Sequence, residues 1–444
     1  MSRVCVPCVS RPPGVFLPVS PAVSFFRFRR YHDSLCTISM LRCKVVGAVP
    51  LLFDPCREAL SNLTAAHGSL DDALPADLSA HLFDSDLLDA LRHHSCTHAP
   101  SLPAQKLVHI IDAPIYASFV VARVGMLGGI PGHVERMERL RAVLARLLSS
   151  SEDGDTLLVM PYWNVAAALT PGLLKLFCHR RDVILGTIES RIPDMMISIK
   201  TNAIGCFRRT VTLPYRAHFL ADQRAVVEDG AQAPRRHIGL MFHGSPVNDK
   251  GRQRHDRSNL HALENEGALR ETQFDIKLSK SVGLATTQNV NLVTIMHNTI
   301  DAYRNSSICL VPEGDTITSR RLFDVLATGC VPLILRTHID RFLLDLPFPK
   351  SVLWHAGLQG YRGATQLRSQ ILFFSLWPTE LNATAAWLQH ILGDKQTLDS
   401  MRAAGQLAFR NWLSYRHNVS GVADALVTEL ADMVQWKVSG DATT

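Results

Sequence analysis

Ser319, Arg320, Arg321 and Asp324 stand close together in the chain, directly after the loop Glu313-Gly314-Asp315-Thr316-Ile317-Thr318. Two guanidiniums, a hydroxyl able to cap a helix and the unpaired N–H groups of that helix's first turn make a site for phosphate. Asp324, one turn further on, is placed for a ribose or sugar hydroxyl. Glu313 and Asp315 are candidates for the hydroxyls of a bound sugar or for a general base. A nucleotide-sugar diphosphate would satisfy every part of this arrangement.

The surrounding elements suit that role. Ser307 to Val311 and Val331 to Leu335 are short apolar runs with β-branched residues, as in strands buried on both faces. Between them the spacing predicts a helix capped by Ser319 or Thr318, apolar along Leu322, Phe323, Val325 and Leu326, and ended by Gly329. The unit is β-loop-α-β, with its loop at the carboxyl edge of a sheet, where open α/β proteins bind ligands. Upstream, strands are expected at Leu107–Ile111, Leu157–Met160, Val183–Leu185, Thr210–Leu213 and Ile238–Phe242. Helices are expected over Val134–Leu148, with Val134, Met137, Leu140, Val143, Leu144 and Leu147 on one stripe, and at Leu260–Arg270 and Leu292–Tyr303. Strands alternating with helices imply parallel sheets. The segment from about Thr365 to Trp436 reads as helical.

At 444 residues, with 47% hydrophobic and 19% charged residues, the chain is globular and long enough for two α/β domains. A net charge of +6, without clustered lysines, argues against nucleic acid as a partner. The organisation expected is a poorly ordered N-terminal or targeting region with short helices over 1–100, and a first α/β domain over 101–220. A linker at 221–234, a second α/β domain at 235–375 and C-terminal helices over 376–444 follow. The best candidate for a membrane anchor, Ile38 to Phe53, is interrupted by Arg42 and Lys44 and is shorter than the ~20 apolar residues a span needs.

Cys309 and Cys330 fall in the two runs flanking the helix and read as small core residues, whereas Cys178 and Cys206 are candidates for a bridge in an oxidising lumen. Cys5-x-x-Cys8 has no second pair at zinc spacing, and no metal site is expected. Sequons at Asn62, Asn305, Asn382 and Asn418 permit a secretory location.

Pro312, Gly314, Asp315, Thr316, Ser319-Arg320-Arg321-Leu322-Phe323-Asp324, Gly329-Cys330, Pro332, Ile334 and Leu346-Pro347-Phe348 together resemble the exostosin-type glycosyltransferases of family 47. Weaker echoes are Ile115-Tyr116-Ala117, Pro161-Tyr162-Trp163-Asn164, Leu213-Pro214, and Phe242-x-Gly244 with Arg257. The resemblance implies a GT-B fold, two Rossmann-like domains facing a central cleft with C-terminal helices. It implies inverting transfer from a nucleotide sugar, taken here as a UDP-sugar, to a polysaccharide or glycoprotein glycan, with no cofactor required. It also implies membrane association in the Golgi, and leaves homo- or hetero-oligomers with other glycosyltransferases open. The donor set expected is Gly244, Arg257, Gly314, Thr316, Ser319, Arg320, Arg321 and Asp324, with Glu313, Asp315 and Arg321 in catalysis.

The residues leave other readings open. Glu313-Gly314-Asp315 also resembles the metal-holding D-x-D of GT-A enzymes, although the arginines already supply countercharge. After Asn164 the chain departs from the family's G-x-D-H-F segment, which suits a non-catalytic exostosin-like subunit that binds nucleotide or glycan and stabilises a partner transferase. No G-x-G-x-x-G follows a strand, which speaks against a dinucleotide oxidoreductase.

Overall fold

Short apolar runs, most of them bounded by helices, assemble into two all-parallel sheets. The computed structural model describes residues 41–47, 50–74, 76–98, 105–125, 132–149, 154–162, 168–178, 180, 182–188, 209–223, 236–244, 274–278, 289–312, 319–335, 346–349, 351–352, 355–358, 371–376 and 388–440. The first sheet holds β1 (Leu41–Gly47), β2 (Lys106–Asp112), β3 (Asp155–Val159), β4 (Val183–Thr187) and β5 (Thr210–Thr212) in that order. The second holds β6 (Ile238–Gly244), β7 (Phe274–Leu278), β8 (Ser306–Pro312), β9 (Val331–Leu335), β10 (His355–Leu358) and β11 (Ile371–Leu376), ordered β10-β11-β9-β8-β6-β7. β3 and β4 are buried along their whole length, as strands covered on both faces must be.

Two expectations change here. Residues 41–98 belong to the first α/β unit: β1 pairs in register with β2 from Leu41↔Lys106 to Gly47↔Asp112, and helices α1 (Pro50–His67) and α2 (Asp84–His93) follow it. Arg42 and Lys44, which interrupt an anchor, are the outward half of a two-residue alternation whose inward half, Leu41 and Cys43, is buried. The helical reading from Thr365 is interrupted by β11, which lies between β10 and β9. Among the described residues no helix is long and apolar enough to cross a membrane. The expected helix at 260–270 lies outside the described residues.

Helices α3 (Ile115–Arg123), α4 (His133–Ser149) and α5 (Pro171–Cys178) belong to the first unit, and α6 (Phe219–Gln223) ends it. The apolar stripe of α4 is Met137, Leu140, Leu144 and Leu148, while Val134 is 65% exposed. Helices α7 (Asn289–Asn305) and α8 (Arg320–Ala327) belong to the second unit. Helix α9 (Lys395–Ala408), a π-helical turn at Phe409–Leu413 and α10 (Tyr415–Gly440) close the chain. α10 returns to the first unit. Tyr415 stacks on Phe83 at 3.9 Å and donates to the Pro214 carbonyl, and Arg209 donates to the Met433 carbonyl. One core accordingly runs from β1 and α2 through α8 to α10.

Cys309 and Cys330, expected as small core residues, also form a disulfide with each other, and Cys43 and Cys96 form another. Both pairs are buried as well. The crossover through α8 brings the Cα atoms of Cys309 and Cys330 to 5.9 Å, which their sequence spacing does not reveal. Cys206, the expected partner of Cys178, lies outside the described residues.

Asp84 begins α2 and caps α3 from outside: Oδ2 accepts from the backbone N–H groups of Tyr116 at 3.1 Å and Ala117 at 3.4 Å. Burial pushes its carboxyl up to about 7 from an ordinary 3.8, against the pull of these amides. With the folded value raised, Asp84's own contribution to stability is most favourable below pH 3.8 and falls as pH rises towards 7, because the unfolded chain ionises first. Asp84→Asn is therefore expected to gain on the wild type by a few kcal/mol between pH 4 and 7.5, on the order set by ~1.4 kcal/mol per pH unit of displacement. Urea midpoints at the two pH values measure it; a constant difference would contradict the assignment.

Candidate functional site

The start of α8 is fixed locally. Ser319 is extended (φ −138°, ψ 139°), and its Oγ accepts from the Arg321 N–H at 3.3 Å, so the expected cap is Ser319. Buried Leu322, Phe323, Val325 and Leu326 hold the helix against the core. Gly329 ends it at φ +70°, where a β-carbon would stand 2.6 Å from Gln406 Nε2.

Arg321 turns into the second unit. Its Nε donates to the Tyr303 hydroxyl and its Nη2 to the His243 carbonyl, both at 3.2 Å, and the guanidinium lies 4.9 Å over the Phe242 ring. Gly244 ends β6 beside it: a β-carbon there would meet Phe242 Cζ at 2.6 Å and Arg321 Nη2 at 3.2 Å. His243 is held from behind by Asp275 at 2.9 Å. Burial raises the Tyr303 hydroxyl, which keeps it a neutral hydrogen-bonding partner for Arg321. Gly244, Ser319 and Arg321 thus converge at the carboxyl ends of β6 and β8.

Arg320 and Asp324, expected at phosphate and ribose, make their hydrogen bonds in this structure to residues of the first unit. Arg320 Nη2 donates to Asp71 Oδ1 at 2.6 Å and Nη1 to Ser79 Oγ at 3.3 Å, both in the first unit. Asp324 is buried, and its Oδ1 accepts from the His218 N–H at 2.6 Å and lies 4.0 Å from Arg320 Nε. Burial pushes Asp324 up to about 6, with Arg320 and the His218 amide pulling the other way. For Asp71 burial also raises the carboxyl, but Arg320, Arg216 and His218 more than offset it and leave it below the usual carboxylate range. Consecutive helical residues point about 100° apart, so Arg320 and Arg321 address different sides of one helix start.

Across from α8 lie residues at the carboxyl ends of the first sheet's strands. Tyr215, after β5, touches Phe323 with ring centroids 5.8 Å apart. His81 packs on Tyr116, Tyr162 and Tyr215 at 5.2 to 5.6 Å. Burial, with Arg320 adding to it, holds His81 down to about 3, so the ring is neutral at physiological pH. Arg257, Glu313, Gly314, Asp315 and Thr316 lie outside the described residues, as do Trp163 and Asn164. Sequence reasoning missed Asp71, Ser79, His218 and Tyr303. Tyr303 alone carried a signal, as the last apolar residue of a helix entering β8.

Residues 181–355 match the family described as Exostosin GT47 domain, a span that includes Gly244, Tyr303 and all of α8. No curated protein matches this sequence. Among solved structures the chain is similar to one in the GtfA/B complex, with 10% identity and a TM-score of 0.34 over 73% of this chain and 57% of that one. It is also similar to α,α-trehalose 6-phosphate synthase from Burkholderia multivorans, with 11% identity and a TM-score of 0.32 over 87% of this chain and 84% of that one. Within the matched span, α8 presents Arg321 towards the end of β6 and Arg320 towards the first unit. Among the described residues no three His, Cys, Asp or Glu side chains converge as metal ligands.

Proposed function

We propose that the protein is an inverting glycosyltransferase of GT-B architecture that moves a sugar from a UDP-sugar to a glycan acceptor, with the donor on the second unit and the acceptor over the first. The observation that carries this reading is the convergence of Arg321, Gly244 and the Ser319-capped start of α8 inside the GT47 domain. The diphosphate accepts hydrogen bonds from the first-turn N–H groups of α8 and from Arg321, which Gly244 lets lie close against the end of β6. As the acceptor hydroxyl attacks the anomeric carbon, the bond from that carbon to the diphosphate oxygen breaks. Arg321 and the helix start then carry the charge that develops on the leaving group, so no metal is required. The hydroxyl proton passes to a carboxylate, for which Glu313 and Asp315 are the candidates.

A panel of UDP- and GDP-sugars tested for binding, hydrolysis and transfer to glycans decides the reading. Saturable binding with slow hydrolysis of one donor supports it. Binding without turnover favours the non-catalytic subunit, and no binding overturns both.

We also place the protein in the Golgi lumen, since two buried disulfides suit an oxidising compartment. The described sequons differ in fitness for a glycan. Asn62 is exposed on α1, whereas Asn305 Nδ2 donates to the Asp301 carbonyl at 3.0 Å and Asn418 Nδ2 to the Asn411 carbonyl at 3.1 Å. Glycopeptide mapping of protein made in a secretory eukaryotic host is expected to find a glycan at Asn62 and at neither of the other two.

A further inference from the structure

Arg320 closes a ring of buried polar contacts that has no evident part in holding a phosphate. Asp71 Oδ1 accepts from Arg320 Nη2 at 2.6 Å and from Ser79 Oγ at 2.8 Å, and its Oδ2 accepts from the Phe219 N–H at 2.7 Å. The preceding amide, His218 N–H, donates instead to Asp324 Oδ1, which lies 4.0 Å from Arg320 Nε. Two neighbouring amides at the start of α6 are thus taken by two carboxylates, one from each unit, and Arg320 stands between those carboxylates. The Asp71 side chain is 1% exposed and that of Arg320 12%. Breaking a pair so buried leaves an uncompensated charge, so the ring opens at far greater cost than an exposed ion pair would.

The next residue after Arg320 is the proposed phosphate ligand. Any shift of the α8 start against Asp71 moves Arg321 by a similar amount, because both sit on the helix's first turn. We infer that Asp71 is a positioning residue for transfer: through Arg320 it fixes the Arg321-bearing start of α8 against the first unit, and so sets where the donor's leaving group lies relative to the acceptor side. The inference rests on the donor site proposed above. It differs from a stabilising role in one respect. The ligands of the diphosphate all lie on the second unit, so loosening the ring leaves nucleotide affinity in place while misaligning the reaction, and a misplacement of about 1 Å costs roughly a hundredfold in rate.

The test compares wild type, Asp71→Asn, Asp71→Glu and Arg320→Lys for UDP affinity by calorimetry, for kcat and KM with the best donor and a glycan acceptor, and for folded fraction by circular dichroism. Asp71→Asn keeps the shape and removes the charge. It is expected to lower kcat about a hundredfold while the Kd for UDP stays within about threefold. Asp71→Glu, which restores the charge, recovers part of the loss. Arg320→Lys keeps a charge opposite Asp71 without the planar fork, and lowers kcat by about tenfold with Kd held, which serves should Asp71→Asn fail to fold. Unchanged kcat in folded variants overturns the inference. So does a parallel loss of kcat, UDP affinity and folded fraction, since the ring is then structural only. A wild type that binds UDP without turnover leaves the donor site standing and overturns the positioning role. A wild type that binds no UDP removes the donor site itself.

Discussion

Arg321→Ala is expected to weaken UDP binding by about ten- to a hundredfold, the scale of one charge-assisted hydrogen bond, and to lower donor turnover by a further hundred- to thousandfold. The two effects separate because the leaving diphosphate gains charge in the transition state, so the same contact strengthens as the bond breaks. Arg321→Lys is expected to recover only part of either. A lysine ammonium is a point charge and cannot hold the Tyr303 hydroxyl, the His243 carbonyl and a phosphate oxygen in one plane as the guanidinium can. Arg321→Ala also takes the donor from the buried Tyr303 hydroxyl and the His243 carbonyl, so a stability loss of about 1–3 kcal/mol is expected beside the loss of function, and both variants are compared where they are fully folded. Calorimetric titration with UDP and donor-hydrolysis rates measure the pair of losses. Equal loss in affinity and overall turnover would mean that Arg321 binds the ground state only.

Gly421→Ala is expected to lower stability by about 3 kcal/mol or more, the upper end of the overpacking range. Asn418 breaks the helical path near the start of α10 with φ −154° and ψ 71°, and its Oδ1 accepts from the Gly421 N–H at 2.9 Å. This turns the chain so tightly that a β-carbon on Gly421 would lie 1.9 Å from the Asn411 carbonyl oxygen, a backbone atom that cannot rotate away. Relief requires α10 to pull back from the π-helical turn. That would strain the Phe83–Tyr415 stack and the Tyr415 hydrogen bond to Pro214, through which the last helix grips the first unit. Urea denaturation gives the difference directly, and a midpoint equal to the wild type's would show that the crossing has room.

The β8-α8-β9 unit was legible in the sequence because its signals are local. A serine cap, an apolar stripe and a closing glycine each act within one turn of the residues they organise. β11 was lost inside a helical reading because a short apolar run such as Ile371–Leu376 fits either period. β1 was lost because its outward charges, Arg42 and Lys44, resembled an interruption rather than an alternation. The division of labour between Arg320 and Arg321 was not legible at all. Arg320 meets Asp71 across 249 residues, and no spacing or propensity encodes a partner that distant. Adjacent arginines at a helix start read as one anion site, and only the fold shows that one of them is occupied with holding the two units together.

On the proposed reading, a nucleotide's diphosphate rests on the start of α8 beside Arg321. A crystal structure of the full chain with UDP tests it most directly. Diphosphate oxygens are expected within hydrogen-bonding distance of the Arg321 guanidinium and of the first backbone N–H groups of α8, with the Arg320–Asp71 pair still formed. Diphosphate bound at the carboxyl ends of the first sheet's strands, or drawn to Arg320 with the Asp71 pair broken, would contradict it.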